Sequence, residues 1–360
     1  MQDTTTLNYH THGATDDLGP IDAKGTRGLL VHDTMAFTSE GVPLGLIDVQ
    51  CWARPEKRGK NPVSESGKWL AAFEATRTMN QACPKQLMVG VGDREADFYD
   101  LFTLAQADGP QLLVRAMHHR KLLDSDLSVW LHIQRTPVAG TIEVHVPARG
   151  GRKARIATLE VHYDRVTLAP PTNKRQLPPI PVWAVLASEK QPPKGTAPLE
   201  WLLLTTVATA TFEEACERVA WYTKRWGIEL FHRTLKSGGC NIEQRQLGTA
   251  DRLSACLALD MVVAWRLYYM TKIGVHAPDL PCTVFLEEDE WRALVAYSRR
   301  DHKPAAPPTT REATLMIARL GGYQDRKGKS PGNTTIARGV AALTWITYSW
   351  RMFIDAHGPP

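Results

Sequence analysis

The run Leu87-Met88-Val89-Gly90-Val91 constrains the fold more than any other part of the sequence. It is short, continuous and apolar, the pattern of a strand buried on both faces, and such strands belong to sheets covered by helices. The flanking segments agree with that reading. Residues 4–10 are rich in Thr and Tyr, and Gly28 to Ser39 and Val42 to Ala53 are apolar runs separated by a hairpin signal at Glu40-Gly41. Asn61-Pro62 and Ser64 to Lys68 supply turn and capping chemistry ahead of a helix through about Gln81. After the buried strand come a helix at about Ala96 to Gln106 and a strand at Gln111 to Met117. The order of three strands, helix, strand, helix, strand defines an α/β layer.

Beyond residue 120 the character changes. Alternating segments at Thr141 to Val146 and Ala154 to Tyr163, with proline-rich connectors at Pro170-Pro171, Pro178-Pro179 and Pro192-Pro193, predict antiparallel strands with few helices over residues 120–205. Glu213 to Lys236 reads as one helix, and the remainder is mostly helical apart from loops near 276–283 and 303–310. The most apolar long stretch, Leu253 to Val275, contains Asp260 and Arg266, which favours a buried helix over a membrane span. No internal repeat is present.

A net charge of +5 permits a polyanionic partner without demanding one. The distribution is more telling: basic residues gather at Arg115 to Lys121, Arg149 to Arg155, Lys224 to Lys236 and Arg326 to Lys329. The six cysteines form no C-x-x-C pair and have no zinc-like spacing, as expected of reduced core fillers in a cytosolic protein. The polar start of the chain has no signal-peptide character.

Three acidic residues stand out to different degrees. Asp93 follows the buried strand, where α/β sheets place their ligands, although a helix N-cap is the competing explanation. Asp3, at the start of the first strand run, is almost uninformative alone. Glu229 is the sharpest. Tyr222, Arg225, Glu229 and Lys236 fall within roughly 60° of one another at about 100° per residue, with Arg233 beside them. A solvated face with i,i+4 ion pairs is one explanation. The other is a functional stripe, whose cations and Tyr hydroxyl suit phosphate oxygens while the carboxylate suits a hard divalent metal.

The spacing Tyr222-x2-Arg225-x3-Glu229-x6-Lys236 resembles the signature of the insertion-sequence-four family of DDE transposases. Gln2-Asp3-Thr4-Thr5 is similar to the family's first acidic motif and Asp93-Arg94-Glu95-Ala96-Asp97 to its second. Further similar segments are Glu65 to Leu70, Pro192-Pro193-Lys194-Gly195, Trp201 to Thr205 and Ile317 to Gly322, in order along nearly the whole chain.

The resemblance implies a ribonuclease-H-like α/β catalytic core (residues 1–119 and 206–275), a β-rich insertion (120–205) and a helical C-terminal dimerisation region (276–360). It implies that Asp3, Asp93 and Glu229 bind two divalent cations, Mg2+ with Mn2+ as the alternative. Cut-and-paste transposition would then proceed by strand nicking, hairpin formation and strand transfer. Tyr222, Arg225, Arg233, Lys236 and Arg115 would contact DNA phosphates. Trp201 is either a core residue or the platform for a flipped base. The partners implied are double-stranded DNA and a second copy, or a full-length transposase in a mixed dimer, in a bacterial cytoplasm at the nucleoid. Only Met1 and Gln2 precede Asp3, so the resemblance also implies a chain without the family's N-terminal DNA-binding domain. A poorly preorganised Asp3 and weak, salt-dependent DNA binding with little end preference would follow. Three functions are compatible with these features: a transposase core, a non-catalytic partner that inhibits a full-length relative, and a ribonuclease-H-like nuclease.

Overall fold

The computed structural model describes all residues except 56–64, 107–108, 147–152, 325–329 and 359–360. The turn at Asn61-Pro62, most of the cluster Arg149 to Arg155 and all of Arg326 to Lys329 lie outside the described residues.

Strands β1 (Gln2–Asn8), β2 (Gly19–Pro20), β3 (Arg27–Phe37) and β4 (Pro43–Trp52) form an antiparallel sheet in which β3 pairs with the other three. Helix α1 (Gly67–Ala82) leads to β5 (Val89–Gly92), the strand expected from the apolar run. A 3-10 turn at Arg94–Ala96 and the short helix α2 (Tyr99–Leu104) then connect to β6 (Gln111–Arg115), which is parallel to β5. This connection replaces the single helix expected over Ala96 to Gln106. Its irregularity has a visible cause in Asp97. That carboxylate is buried and accepts from Met117 N, His118 N and the Arg120 guanidinium, which ties the connection to the loop beyond β6.

After α3 (Val129–Ile133) come β7 (Gly140–Val146), β8 (Arg155–Leu168), β9 (Ile180–Ser188) and β10 (Glu200–Thr205). Because β10 pairs with β6, these strands extend one mixed sheet in the order β5-β6-β10-β9-β8-β7. Alternate residues feed two apolar clusters, as a pleated strand requires. Leu112, Val114, Leu202 and Leu204 pack with Trp69, Phe73 and Phe102. Leu113, Leu203 and Val185 pack on the other face with Ala215 and Val219. The edge strands β1 and β5 of the two sheets lie side by side.

Residues 213–236, expected as one helix, are divided. Helix α4 (Phe212–Lys224) starts at a capping box formed by Thr211 and Glu214, and α5 (Trp226–Arg233) runs into a π-helical turn at Thr234–Gly238. At the joint the amides of Arg225 and Ile228 bond three residues back, to Tyr222 and Arg225, and so overwind the helix. Gly227 permits it: a Cβ there would stand 2.9 Å from Phe37 and 3.0 Å from the Tyr268 hydroxyl. Beyond the joint, Ile228, Phe231 and Leu235 are fully buried against β1, β3 and α6 (Ala250–His276). Each contributes about 2 kcal/mol by burial. They hold α5 on the four-stranded sheet.

One face of α6 is core, from Leu253 and Leu257 to Met270, while Leu259, Val262 and Val263 are exposed. The helix is long and apolar enough to span a membrane by composition, yet its inner face is committed to protein. Helices α7 (Glu288–Arg299), α8 (Thr310–Leu320) and α9 (Asn333–His357) complete a C-terminal helical region with their own cluster. The segment Ile317 to Gly322 serves packing here. A Cβ on Gly339 would lie 1.9 Å from the Ile317 carbonyl oxygen, so α8 and α9 touch backbone to backbone.

Candidate active site

Asp3 lies on β1 directly opposite Asp33 of β3. The ladder extends to Met1, whose backbone N and O both bond to Met35. Asp3 is therefore held on both sides in the chain direction. The expectation of a frayed, poorly preorganised Asp3 is corrected by this pairing.

Asp93 follows β5 and caps the 3-10 turn, with Oδ1 accepting from Glu95 N at 2.8 Å. The capping and functional explanations thus coexist, since the second oxygen is not used by the cap. Glu229 projects from the first half of α5. Between the acids stands Arg225: its Nη2 donates to Glu229 Oε1 at 2.8 Å, and its Nη1 is 3.5 Å from Asp3 Oδ2. These three side chains are 16–28% exposed, sheltered but open on one side. The joint after α4 turns Arg225 into this position.

The electrostatics tie the group together. Burial raises the Asp3 pKa; His232 and Arg225 oppose this, and the nearby Asp93 charge adds to it. For Arg225, burial disfavours the charge, but Asp3, Tyr222, Glu229 and Asp93 outweigh it and raise its pKa. Burial lowers the Lys236 pKa, with Glu243 and Asp3 acting the other way. Asp3, Asp93, Glu229, Arg225 and Lys236 therefore share one electrostatic neighbourhood.

The flanking residues separate into two groups. Tyr222 is buried and makes an edge-on contact with Trp201, ring centroids 5.5 Å apart. Trp201 itself is only partly buried on β10. Arg115 donates to the Glu200 carbonyl at 2.9 Å, one residue from Trp201. Arg233 is exposed. Its neighbours Phe231, His232, Thr234 and Leu235 are all buried.

Two residues missed in the sequence complete the site. His232, one turn after Glu229, places Nε2 2.6 Å from Asp33 Oδ1 and Nδ1 4.0 Å from Asp3 Oδ2. Burial opposes the imidazolium, yet Asp33 and then Asp3 raise the His232 pKa. A signal existed in the sequence: His32-Asp33 interrupts the apolar run Leu29 to Met35, and buried ionisable residues need partners. On the other face of the same strand, His32 Nδ1 is 3.0 Å from the Thr4 hydroxyl, and the ring packs on Trp69.

The donor set, three carboxylates from separate elements, fits a hard oxygen-seeking cation such as Mg2+. As the side chains stand, no three of His, Cys, Asp and Glu among the described residues are at ligand spacing. Arg225 spans two of the acids instead.

Residues 262–352 match the family model described as the transposase Tn5 dimerisation domain. The match takes in the second half of α6, α7, α8 and most of α9. It gives the C-terminal helices their class, a dimerisation unit of transposase type. It supports a relationship to Tn5-like transposases and is silent on the acidic site.

Proposed function

We propose that this chain is the catalytic core of a DNA transposase of the insertion-sequence-four kind, working as a dimer on double-stranded DNA. The observation that carries the proposal is that Arg225 bridges Asp3 and Glu229, which are remote in sequence, with Asp93 near enough to act on both Asp3 and Arg225 through its charge. The strand arrangement β4-β3-β1 beside β5-β6, with α5 packed on β1, is compatible with a ribonuclease-H-like core. The transposase-type dimerisation segment supplies an independent reason to prefer transposition over simple nuclease action.

In this reading Asp3, Asp93 and Glu229 would hold the divalent cations, which when bound promote in-line displacement at phosphorus by activating the attacking oxygen and stabilising the leaving one. Arg225 and Lys236 bind phosphate oxygens at the rim and balance the carboxylate charge. Tyr222 sets the angle of Trp201 by its edge-on contact, and Trp201 offers its free face to an unstacked base, worth about 1–3 kcal/mol. Arg115 steadies the same strand through the Glu200 carbonyl.

Asp93→Asn and Glu229→Gln should each abolish Mg2+-dependent nicking of DNA while leaving filter-retained DNA binding within a few-fold of the parent. Near-parental nicking by either variant would show that the acids were wrongly assigned. A second reading is a non-catalytic subunit that pairs with an active relative through the dimerisation-type segment. Complete absence of nicking in the parent, with stable pairing, is its signature.

A further inference from the structure

The Glu-bearing helix and the Asp-bearing sheet meet in a largely apolar interface that also encloses a buried polar contact. His232 Nε2 stands 2.6 Å from Asp33 Oδ1, two residues separated by 199 positions in the chain. Asp33 is 0% exposed, and its Oδ2 has no hydrogen-bond partner. Around the pair, Ile228, Phe231 and Leu235 from the helix side pack on Leu7, Leu29 and Val31 from the sheet.

Cohesion alone does not account for such a pair. Burying it costs desolvation, and apolar side chains of similar volume often hold a core as well or better. What the pair adds is position. Glu229 and His232 are three residues apart and share a helix face, whereas Asp3 and Asp33 face each other across the ladder. The contact between His232 and Asp33 therefore sets the helix carrying Glu229 against the strands carrying Asp3. The ring, fixed from behind by Asp33, presents Nδ1 4.0 Å from Asp3 Oδ2, the same oxygen that Arg225 approaches at 3.5 Å. One carboxylate oxygen of Asp3 is thus flanked on two sides.

We propose that Asp33 and His232 are a positioning pair for the acidic site: they fix the separation of Asp3 and Glu229 and the rotamer of Asp3, without touching the reacting atoms. The inference rests on Asp3 and Glu229 being cation ligands. Outer residues that orient metal ligands typically cost about 10–100-fold in affinity or activity when changed.

The test is Mn2+ binding to the full chain, read by loss of the free-ion EPR signal. His232→Gln and near-isosteric Asp33→Asn should each weaken binding about 10–100-fold. The double variant should be no weaker than the poorer single one, because the two residues act as a unit. Circular dichroism and melting identify folded protein, and Asp33→Asn decides the matter if His232→Gln does not fold. On DNA, kcat should fall with KM unchanged. Parental Mn2+ affinity in folded His232→Gln or Asp33→Asn, alongside weakened binding in Asp3→Asn, overturns the pair and leaves the site standing. Parental affinity in Asp3→Asn overturns the site and the pair together.

Discussion

Arg225→Met removes the guanidinium between the carboxylates and keeps most of the aliphatic stem. At an effective dielectric of about 20, contacts of 2.8 Å to Glu229 and 3.5 Å to Asp3 carry gross attractions of about 6 and 5 kcal/mol. Most of that is offset, because removing the charge also removes its desolvation cost and water reaches the open side of the site. Losing one partner of a fully buried pair costs about 3–5 kcal/mol, and solvent-exposed pairs contribute about 0–1. With side chains 16–28% exposed, a net loss of about 1–3 kcal/mol follows. An unfolding entropy of about 2.1 cal/mol/K per residue, over 360 residues, converts this into a fall of about 1–4 °C in Tm. The decisive arm is Mg2+. Under the proposed function, a cation would compete with Arg225 for Asp3 and Glu229 in the parent, and in the variant it would meet uncompensated carboxylates. Saturating Mg2+ should therefore raise the variant's Tm by more than the parent's in differential scanning calorimetry, following the ordinary linkage of ligand binding to stability. Equal Mg2+ shifts in both proteins, or a metal-free variant as stable as the parent, would refute the reasoning.

Two further predictions concern other parts of the molecule. The His232 pKa is raised in the folded state, so its stabilising contribution is complete below the unfolded value near 6.5 and is lost as pH rises through the folded value. The stability advantage of metal-free parent over His232→Gln in urea titrations should accordingly shrink as pH climbs above about 6.5, and a gap that widened would invert the assignment. On the C-terminal helices, Trp345 is 73% exposed, with Tyr348, Met352 and Phe353 also exposed on α9. Trp345→Ala should weaken self-association by about 2 kcal/mol, roughly thirtyfold, in analytical ultracentrifugation, and an unchanged dimer constant would place the contact elsewhere.

The parts of this architecture legible in the sequence are those fixed by local chemistry. The run Leu87 to Val91 marks a buried strand, realised as β5 (Val89–Gly92) with Leu87 exposed ahead of it, and Asp93 follows from it by position. Tyr222, Arg225 and Glu229 stood out because a tyrosine, cations and one acid shared a short segment. Periodicity fails at the joint after Lys224, because it presumes an ideal helix where the backbone tightens and then loosens. On either side of that joint Tyr222 is buried and Arg233 is exposed. Asp3 shows the limit from the other side. Its meaning lies in its alignment with Asp33 and in the arrival of α5 above both, and neither relation has any local trace. Asp33 was hidden for a different reason. Inside Leu29 to Met35 it interrupts an apolar strand, which counts against a strand by composition, whereas physically a buried carboxylate persists only where something distant answers its charge. An ionisable residue that breaks an otherwise clean apolar strand is therefore better read as a request for a partner than as noise. Here the partner is a histidine on the helix that carries Glu229, so the interruption in β3 pointed to the site from the start.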